Sequence, residues 1–284
     1  MALGGSGSER GPGRVVAIGG AERSRAGGDA ILRRFVELSG GAAGRVVVVA
    51  TASSEPDVVE ANYLGLLTAM GAGQVRALRL ETRDQANADD AVQALIEATG
   101  VFFTGGDQAR VAEMLRGTRV DSVLHTRLGT GELTLAGTSA GAAMMSGTMI
   151  IDGGREGGIA ARSVRIAAGL QFLPGVLIDM HFAERGRLDR LLSAVALYPH
   201  ALGLGIDEDT AIVAEGSRFE VIGTGGVTVI DGGCATTIRT AEYDGKPPAM
   251  LGVCLHVMPA GYSFDLDGRR PLVATSPGKH REVM

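Results

Sequence analysis

Tryptophan is missing from this chain of 284 residues, and aromatic residues of all kinds make up only 4% of it. Its interior must therefore be built from Ala, Val, Leu, Ile and Met, a leaning that suits buried parallel strands under Ala-rich helices. Cysteine is nearly absent too. Cys234 and Cys254 have no CxxC pair and no Cys/His cluster around them, which argues against a disulfide framework or a structural zinc site and for a reducing, cytoplasmic compartment. There is no excess of base: 27 Lys and Arg face 32 Asp and Glu, for a formal charge of −5 at pH 7. The basic face or stripe of a nucleic-acid binder is therefore not expected. No segment reaches about 18 uninterrupted apolar residues, and the N-terminal MALGGSGSERGPG lacks the apolar core of a signal peptide. The sequence thus predicts a soluble protein with no nucleic-acid or membrane partner.

What the chain has in quantity is apolar residues, at 45%, and glycine, at 44 residues. From Arg14 the text reads as strand (RVVAIGG), glycine-rich loop, helix (DAILRRFVELSG) and strand (RVVVVATAS), a βαβ unit. The alternation continues through helices around 58–70 and 89–99, the strands VRALRL and VFFTGG, and a helix from Gln108 toward LTLAGTS. This pattern predicts an α/β fold with a doubly wound, mostly parallel sheet, whose ligands bind beyond the carboxyl ends of the strands. From about residue 206 the sequence turns to β-branched residues and glycine, and FEVIGTGGVTVIDG reads as hairpin or meander. The expected organisation is a flexible leader over 1–12, one α/β domain over 13–274 with a β-rich C-terminal extension, and a flexible tail over 275–284. The loop GGAERSRAGG lacks the GxGxxG spacing of a dinucleotide site, and no GxxxxGK[ST] phosphate loop occurs.

Residues 133–147, LTLAGTSAGAAMMSG, lead an apolar run into a Gly-x-Ser-x-Gly pentapeptide and leave it through an Ala/Met helix former. Gly137 and Gly141 permit the sharp strand-to-helix turn of a nucleophile elbow, which projects the Ser139 hydroxyl. At the following helix N-terminus, the Ala140 amide is placed to stabilise a tetrahedral oxyanion. A serine nucleophile needs a base. Of five histidines, His280 falls in the tail, His125 in a polar helix, His200 in a helix-ending turn and His256 in a late strand. His181 follows the apolar run GLQFLPGVLIDMHF, where a strand ends and a loop begins, with Asp179 on the same face of an extended segment. An orienting carboxylate is supplied by LGLGIDEDTA, in which Asp207, Glu208 and Asp209 are equivalent on composition alone.

Taken in order, ATASSEP, FFTGGDQARV, GTSAGAAMMSGTMI, the Asp, His and Arg positions of DMHFAERGRLDRLL, and GLGIDEDTA make the chain resemble the cyanophycinase family. With HVMPAG and FDLDGRRPL the resemblance runs from about Arg14 to Leu272. That family comprises serine peptidases with a flavodoxin-like core, related to class I glutamine amidotransferases and to peptidase E. The resemblance implies Ser139 as nucleophile, His181 as general base and then acid, and Glu208 as the orienting acid. It implies Gln108 as a substrate contact and the Gly106 amide as a partner of Ala140 in the oxyanion hole. It further implies a homodimer that needs no metal or organic cofactor. The serine–histidine–glutamate order differs from that of α/β-hydrolases.

The family's substrate, cyanophycin, is a poly-aspartate carrying arginine on each β-carboxyl group, released as β-Asp-Arg dipeptides. Arg185, Arg187 and Arg190, expected on a helix after His181, offer forked donors to carboxylates, with Arg185 and Arg190 the family-favoured pair. Asp179 and nearby acids are expected to receive the cationic branch. Where the family commonly reads Asp-Gln-His-Phe, this chain has Met180, which lacks the amide's donors and acceptor. The departure bears on substrate preference and leaves the triad intact. The alternative activity is a peptidase E-like exopeptidase on soluble aspartyl or isoaspartyl peptides. A silent binding protein is opposed by the complete triad, and a class I glutaminase by serine at the elbow.

Overall fold

Arg45-Val-Val-Val-Val49 shows how the sequence dictates the central layer: after Arg45 every residue is buried, as a strand covered on both faces requires. A computed structural model describes residues 12–22, 28–153, 164–240 and 248–272. The expected tail, and the expected leader apart from Pro12, lie outside these residues. Five parallel strands form the heart of the sheet: β1 (Arg14–Ile18), β2 (Arg45–Val49), β3 (Gln74–Ala77), β4 (Gly100–Phe103) and β5 (Thr134–Thr138), side by side as β3-β2-β4-β5-β1. Helices α1 (Gly28–Leu38) and α2 (Pro56–Ala69) cover one face. Helices α3 (Asp89–Glu97), α4 (Gln108–Leu115) and α5 (Arg119–Gly129) cover the other. In α1, Ile31, Leu32, Phe35 and Val36 are buried while Arg33 and Arg34 are exposed, the stripe of an amphipathic helix on a sheet. The doubly wound α/β arrangement expected from the alternating pattern is present.

The short helix α6 (Ala140–Ala143) follows β5, and a hairpin of β6 (Thr148–Gly153) and β7 (Val164–Ala168) comes next. Beyond it lie β8 (Val176–Met180), α7 (Leu188–Leu197), β9 (Leu202–Ile206), β10 (Thr210–Glu215), β11 (Arg218–Gly223) and β12 (Gly226–Asp231). The remaining strands are β13 (Thr237–Arg239), β14 (Ala249–Leu251), β15 (Cys254–Pro259), β16 (Ser263–Asp265) and β17 (Arg270–Leu272). Strand β10 pairs antiparallel with β1, and β11, β16 and β17 continue outward. The extension is β-rich as expected, but FEVIGTGGVTVIDG does not close as one hairpin. Strand β11 stays in the central sheet, while β12 crosses into a second sheet ordered β15-β12-β9-β8. Hydrogen bonds cause the crossing. The Thr224 amide donates to the Asp209 carbonyl (2.8 Å), the Gly225 amide to Thr210 Oγ1 (2.9 Å) and the Gly226 amide to Asp207 Oδ2 (3.0 Å), tying this connection to the turn between β9 and β10.

The two sheets share one core, in which Ile178, Leu204 and Val229 of the second join Val101 and Leu135 of the first. Helix α7 seals the far face of the second sheet with Leu191, Ala194 and Val195 against Leu177 and Ile230. The chain brings Cys234 close to Cys254; both are free thiols. The Cys254 thiol, then burial and Asp231, push the Cys234 thiol up to about 12. Among the described residues no helix is long and apolar enough to cross a membrane.

Asp231, at the end of β12, is 2% exposed and accepts two hydrogen bonds from Arg269, from Nε at 2.9 Å and from Nη2. The Arg269 guanidinium holds its carboxyl below the usual range. Arg269→Met should destabilise the fold by about 1–3 kcal/mol at neutral pH by leaving that carboxylate without its cation, read by urea unfolding. Because the folded value is depressed, the pair's contribution is complete above the unfolded value near about 4 and is lost as pH falls through the folded value. The wild-type and variant stability curves should therefore converge in acid.

Candidate active site

Ser139 sits where β5 stops and α6 begins, with φ of 52° and ψ of −112°, a strained backbone for a residue bearing a Cβ. The turn is possible because its flanks carry no side chain. A Cβ at Gly137 would overlap the Gly141 carbonyl, and one at Gly141 would overlap that of Phe103. Among the described residues the amides of Gly106 and Ala140 have no hydrogen-bond partner, and Gly106 and Ser139 line the same cavity. The loop bearing Gly106 is fixed by the Asp107 amide, which donates to the Ala52 carbonyl (2.9 Å), and by the Asp107 side chain, which caps α4.

The other reactive groups come from the second sheet. Strands β8 and β9 are parallel neighbours with Met180 opposite Ile206, so His181 and the acids at 207–209 leave adjacent strand ends together. The structure separates the three acids that composition left equivalent. Asp207 pins the Ala183 and Gly226 amides, each at 3.0 Å, and Asp209 is fully buried with φ of 51°. Glu208 accepts from His181 Nδ1 at 2.7 Å, and His181 Nε2 lies 2.9 Å from Ser139 Oγ. A carboxylate only accepts, so Nδ1 carries the proton and the Nε2 lone pair faces the serine hydroxyl.

Asp179, expected beside His181, is not its partner. His181 has φ of 50°, which ends the strand alternation and swings the ring away. The backbone of all three segments converges on β1: Ser139 donates its amide to the Ile18 carbonyl (3.0 Å), His181 to Gly19 (2.9 Å) and Asp209 to Gly20 (3.0 Å).

Beside Ser139 and His181 opens a cavity of about 510 Å³, lined among others by Gln108, Asp152, Met180, Arg185, Arg187 and Arg190. Gln108 is held by donation from Nε2 to the Ile150 carbonyl at 2.8 Å. The expectation for Asp179 is corrected: it is 0% exposed, and its oxygens accept from Arg190 Nε (2.8 Å), Arg190 Nη2 and Arg187 (3.4 Å). A substrate cation therefore finds it occupied. The arginine segment also differs from its expectation. Arg185 and Arg187 lie in turns before α7, which begins at Leu188, and only Arg190 is helical. Arg190 and Arg187 both engage Asp179, whereas the exposed Arg185 has no ion pair among the described residues. Met180 is 5% exposed, and its sulfur lies 3.6 Å from Arg187 Nη1. Among the described residues no group of three or more His, Cys, Asp or Glu is placed to hold a metal ion.

Sequence reasoning passed over Asp152, whose place on a hairpin gave no motif, and it marked Gly19 and Gly20 in the loop that follows β1 only as lying beyond a strand end, without a role for either. Gly20 there has φ of 107°, and a Cβ on it would overlap the His181 ring at Cε1 and Nε2. Gly20→Ala should leave the folded spectrum by circular dichroism in place but slow labelling of Ser139 by a fluorophosphonate at least about 100-fold, the usual penalty for displacing a reacting group by about 1 Å. Labelling at the wild-type rate would mean that the ring has another way to seat itself.

Residues 15–222 match the profile of peptidase family S51. The chain is 38% identical over 270 residues to a cyanophycinase from Nostoc sp. (strain PCC 7120), covering 94% of this chain and 89% of that protein. It is 36% identical over 261 residues to one from Geminocystis herdmanii (strain PCC 6308), covering 91% and 95%. Its fold superposes with a TM-score of 0.65 on the crystal structure of a peptidase from an acI-B1 actinobacterium, 19% identical, covering 90% of this chain and 98% of that one. With its elbow serine bonded to a histidine and the histidine to a glutamate, this chain is a peptidase and belongs to family S51.

Proposed function

We propose that the protein is a serine-type cyanophycinase that degrades cyanophycin to β-Asp-Arg dipeptides. The unbroken hydrogen-bonded line from Ser139 through His181 to Glu208, beside a cavity rich in arginine, carries this reading, and relatives at 36–38% identity bear the same name. In acylation, Ser139 Oγ attacks the scissile carbonyl as its proton passes to His181 Nε2, and Glu208 stabilises the imidazolium that forms. The Gly106 and Ala140 amides receive the developing oxyanion. His181 then gives its proton to the departing amine. A water activated by the same imidazole attacks the ester, and the acyl half leaves as Ser139 recovers its proton. Every group in this cycle comes from the chain or from water.

Arg185, which has no ion pair among the described residues, offers forked N–H donors to substrate carboxylates, the geometry in which arginine surpasses lysine, while Arg187 and Arg190, tied to Asp179, keep the cavity wall cationic. Gln108 and Met180 contact the same part of the substrate, where the thioether replaces an amide with a soft apolar surface. We further propose that residues 13–274 act as one hydrolytic domain and that the enzyme works as a homodimer in the cytoplasm.

Incubation with insoluble β-Asp-Arg polymer, followed by mass spectrometry of the supernatant, should show β-Asp-Arg for wild type. Ser139→Ala should show none above background, a loss of roughly 10⁴-fold or more in kcat. Glu208→Gln should retain the fold and lose roughly 10²- to 10⁴-fold in kcat, because the imidazole is no longer held in its working tautomer. Turnover of soluble aspartyl or isoaspartyl dipeptides without polymer release would replace this reading with the peptidase E-like one.

A further inference from the structure

Ser139 and His181 line two cavities. Besides the arginine-lined one there is a second cleft of about 470 Å³, which has only Ser139 and His181 in common with the first among the described lining residues. Its walls are mostly apolar or hydroxyl-bearing: Ala21, Val59, Tyr63 and Thr138. The charged group in this described lining is Glu22, from the loop that follows β1.

Glu22 is 4% exposed, yet no arginine, lysine or histidine among the described residues pairs with it. Its carboxylate accepts from the Tyr63 hydroxyl and, at 2.7 Å, from Thr138 Oγ1. Thr138 immediately precedes Ser139, so the carboxylate is tied one residue from the nucleophile. Two donors leave roughly half of a carboxylate's four lone-pair positions open. Tyr63 is itself braced, with its ring 4.6 Å from that of Phe102. A carboxylate shielded from water, held in a fixed orientation and lining a cavity is a receptor for a cationic N–H donor, which would complete its hydrogen bonding.

We propose that Glu22 binds the organic cation of the substrate residue lying in this cleft. This rests on the reading above. It gives the cationic branch a place that the fully buried, arginine-paired Asp179 does not offer. The site then has a sign in each cavity beside Ser139, arginine for carboxylate in the first and glutamate for cation in the second. A substrate residue carrying both a carboxylate and a guanidinium meets both. The shared chemistry is a cation with forked or multiple N–H donors, so a guanidinium and a primary ammonium both qualify, and the test separates them.

Soluble trimers of β-Asp-Arg, of β-Asp-Lys and of β-Asp-citrulline, the last an uncharged near-isostere of arginine, would be compared on wild type and Glu22→Gln. Wild type should prefer the arginine over the citrulline trimer, and in Glu22→Gln that ratio of kcat/KM should shrink about 10- to 100-fold, the worth of one charge-assisted hydrogen bond. Loss of the same ratio for lysine over citrulline would mark ammonium as accepted alongside guanidinium. A ratio unchanged in Glu22→Gln overturns the proposal, whether absolute rates fall, as for a merely structural carboxylate, or hold. A second readout works even if none of the trimers is hydrolysed. Argininamide should protect Ser139 from fluorophosphonate labelling in wild type and lose that protection in Glu22→Gln, and equal protection of both proteins would also overturn the assignment.

Discussion

Three successive carbonyls at the carboxyl end of β1, those of Ile18, Gly19 and Gly20, accept the amides of Ser139, His181 and Asp209. Each donor residue has φ near +50°, a conformation that costs about 1–3 kcal/mol in a residue with a side chain. A single hydrogen bond contributes about 1 kcal/mol, so the bonds alone do not hold three such residues. The burial of Ser139's flanks, of His181 and of Asp209 completes the restraint. The first strand is thus the scaffold on which segments far apart in sequence are set to a common reference.

The same strand end explains why the loop after β1 is rich in small residues. Gly19 packs against the backbone of Ile206 and Asp207, and Gly20 against the imidazole. Immediately beyond, the chain turns through Ala21, also at positive φ, to Glu22. One short stretch thereby packs against the His181 ring and lines the cleft beside Ser139. The two glycines that open what looked in the sequence like a failed dinucleotide loop form a cradle for a side chain.

Local signals were legible where a single stretch of sequence determines the structure. The elbow declares itself because Gly137, Ser139 and Gly141 must all lie within five residues, and His181 because a strand end places it at the rim. The βαβ alternation gave the parallel sheet for the same reason. What depends on partners distant in sequence was hidden. Nothing near Asp179 foretells that Arg190 turns back to it, and the helical reading of Arg185 and Arg187 missed the turns that precede Leu188. Nor does FEVIGTGG reveal that Asp207 and Thr210 draw the following strand into another sheet. The choice of Glu208 among three acids came from family resemblance, and in the structure it is Glu208 that meets the His181 ring, while Asp207 holds the Ala183 and Gly226 amides and Asp209 is fully buried. Glu22 left one usable trace, a lone acid just past the carboxyl end of a parallel strand, where such folds place their ligands.

Ser139 leaves the central sheet, while His181 and Glu208 leave the second, so the 2.9 Å bond between Ser139 and His181 spans two layers. Beyond the backbone bonds of both residues to the end of β1, its length depends on how the layers pack, through Ile178, Leu204 and Val229 against Val101 and Leu135. Warming that loosens this seam parts the two groups while each sheet keeps its own ladder of hydrogen bonds. Heat inactivation then runs ahead of the loss of secondary structure. A substrate seated against both layers works as a clamp on the seam and, by mass action, protects the enzyme that is consuming it.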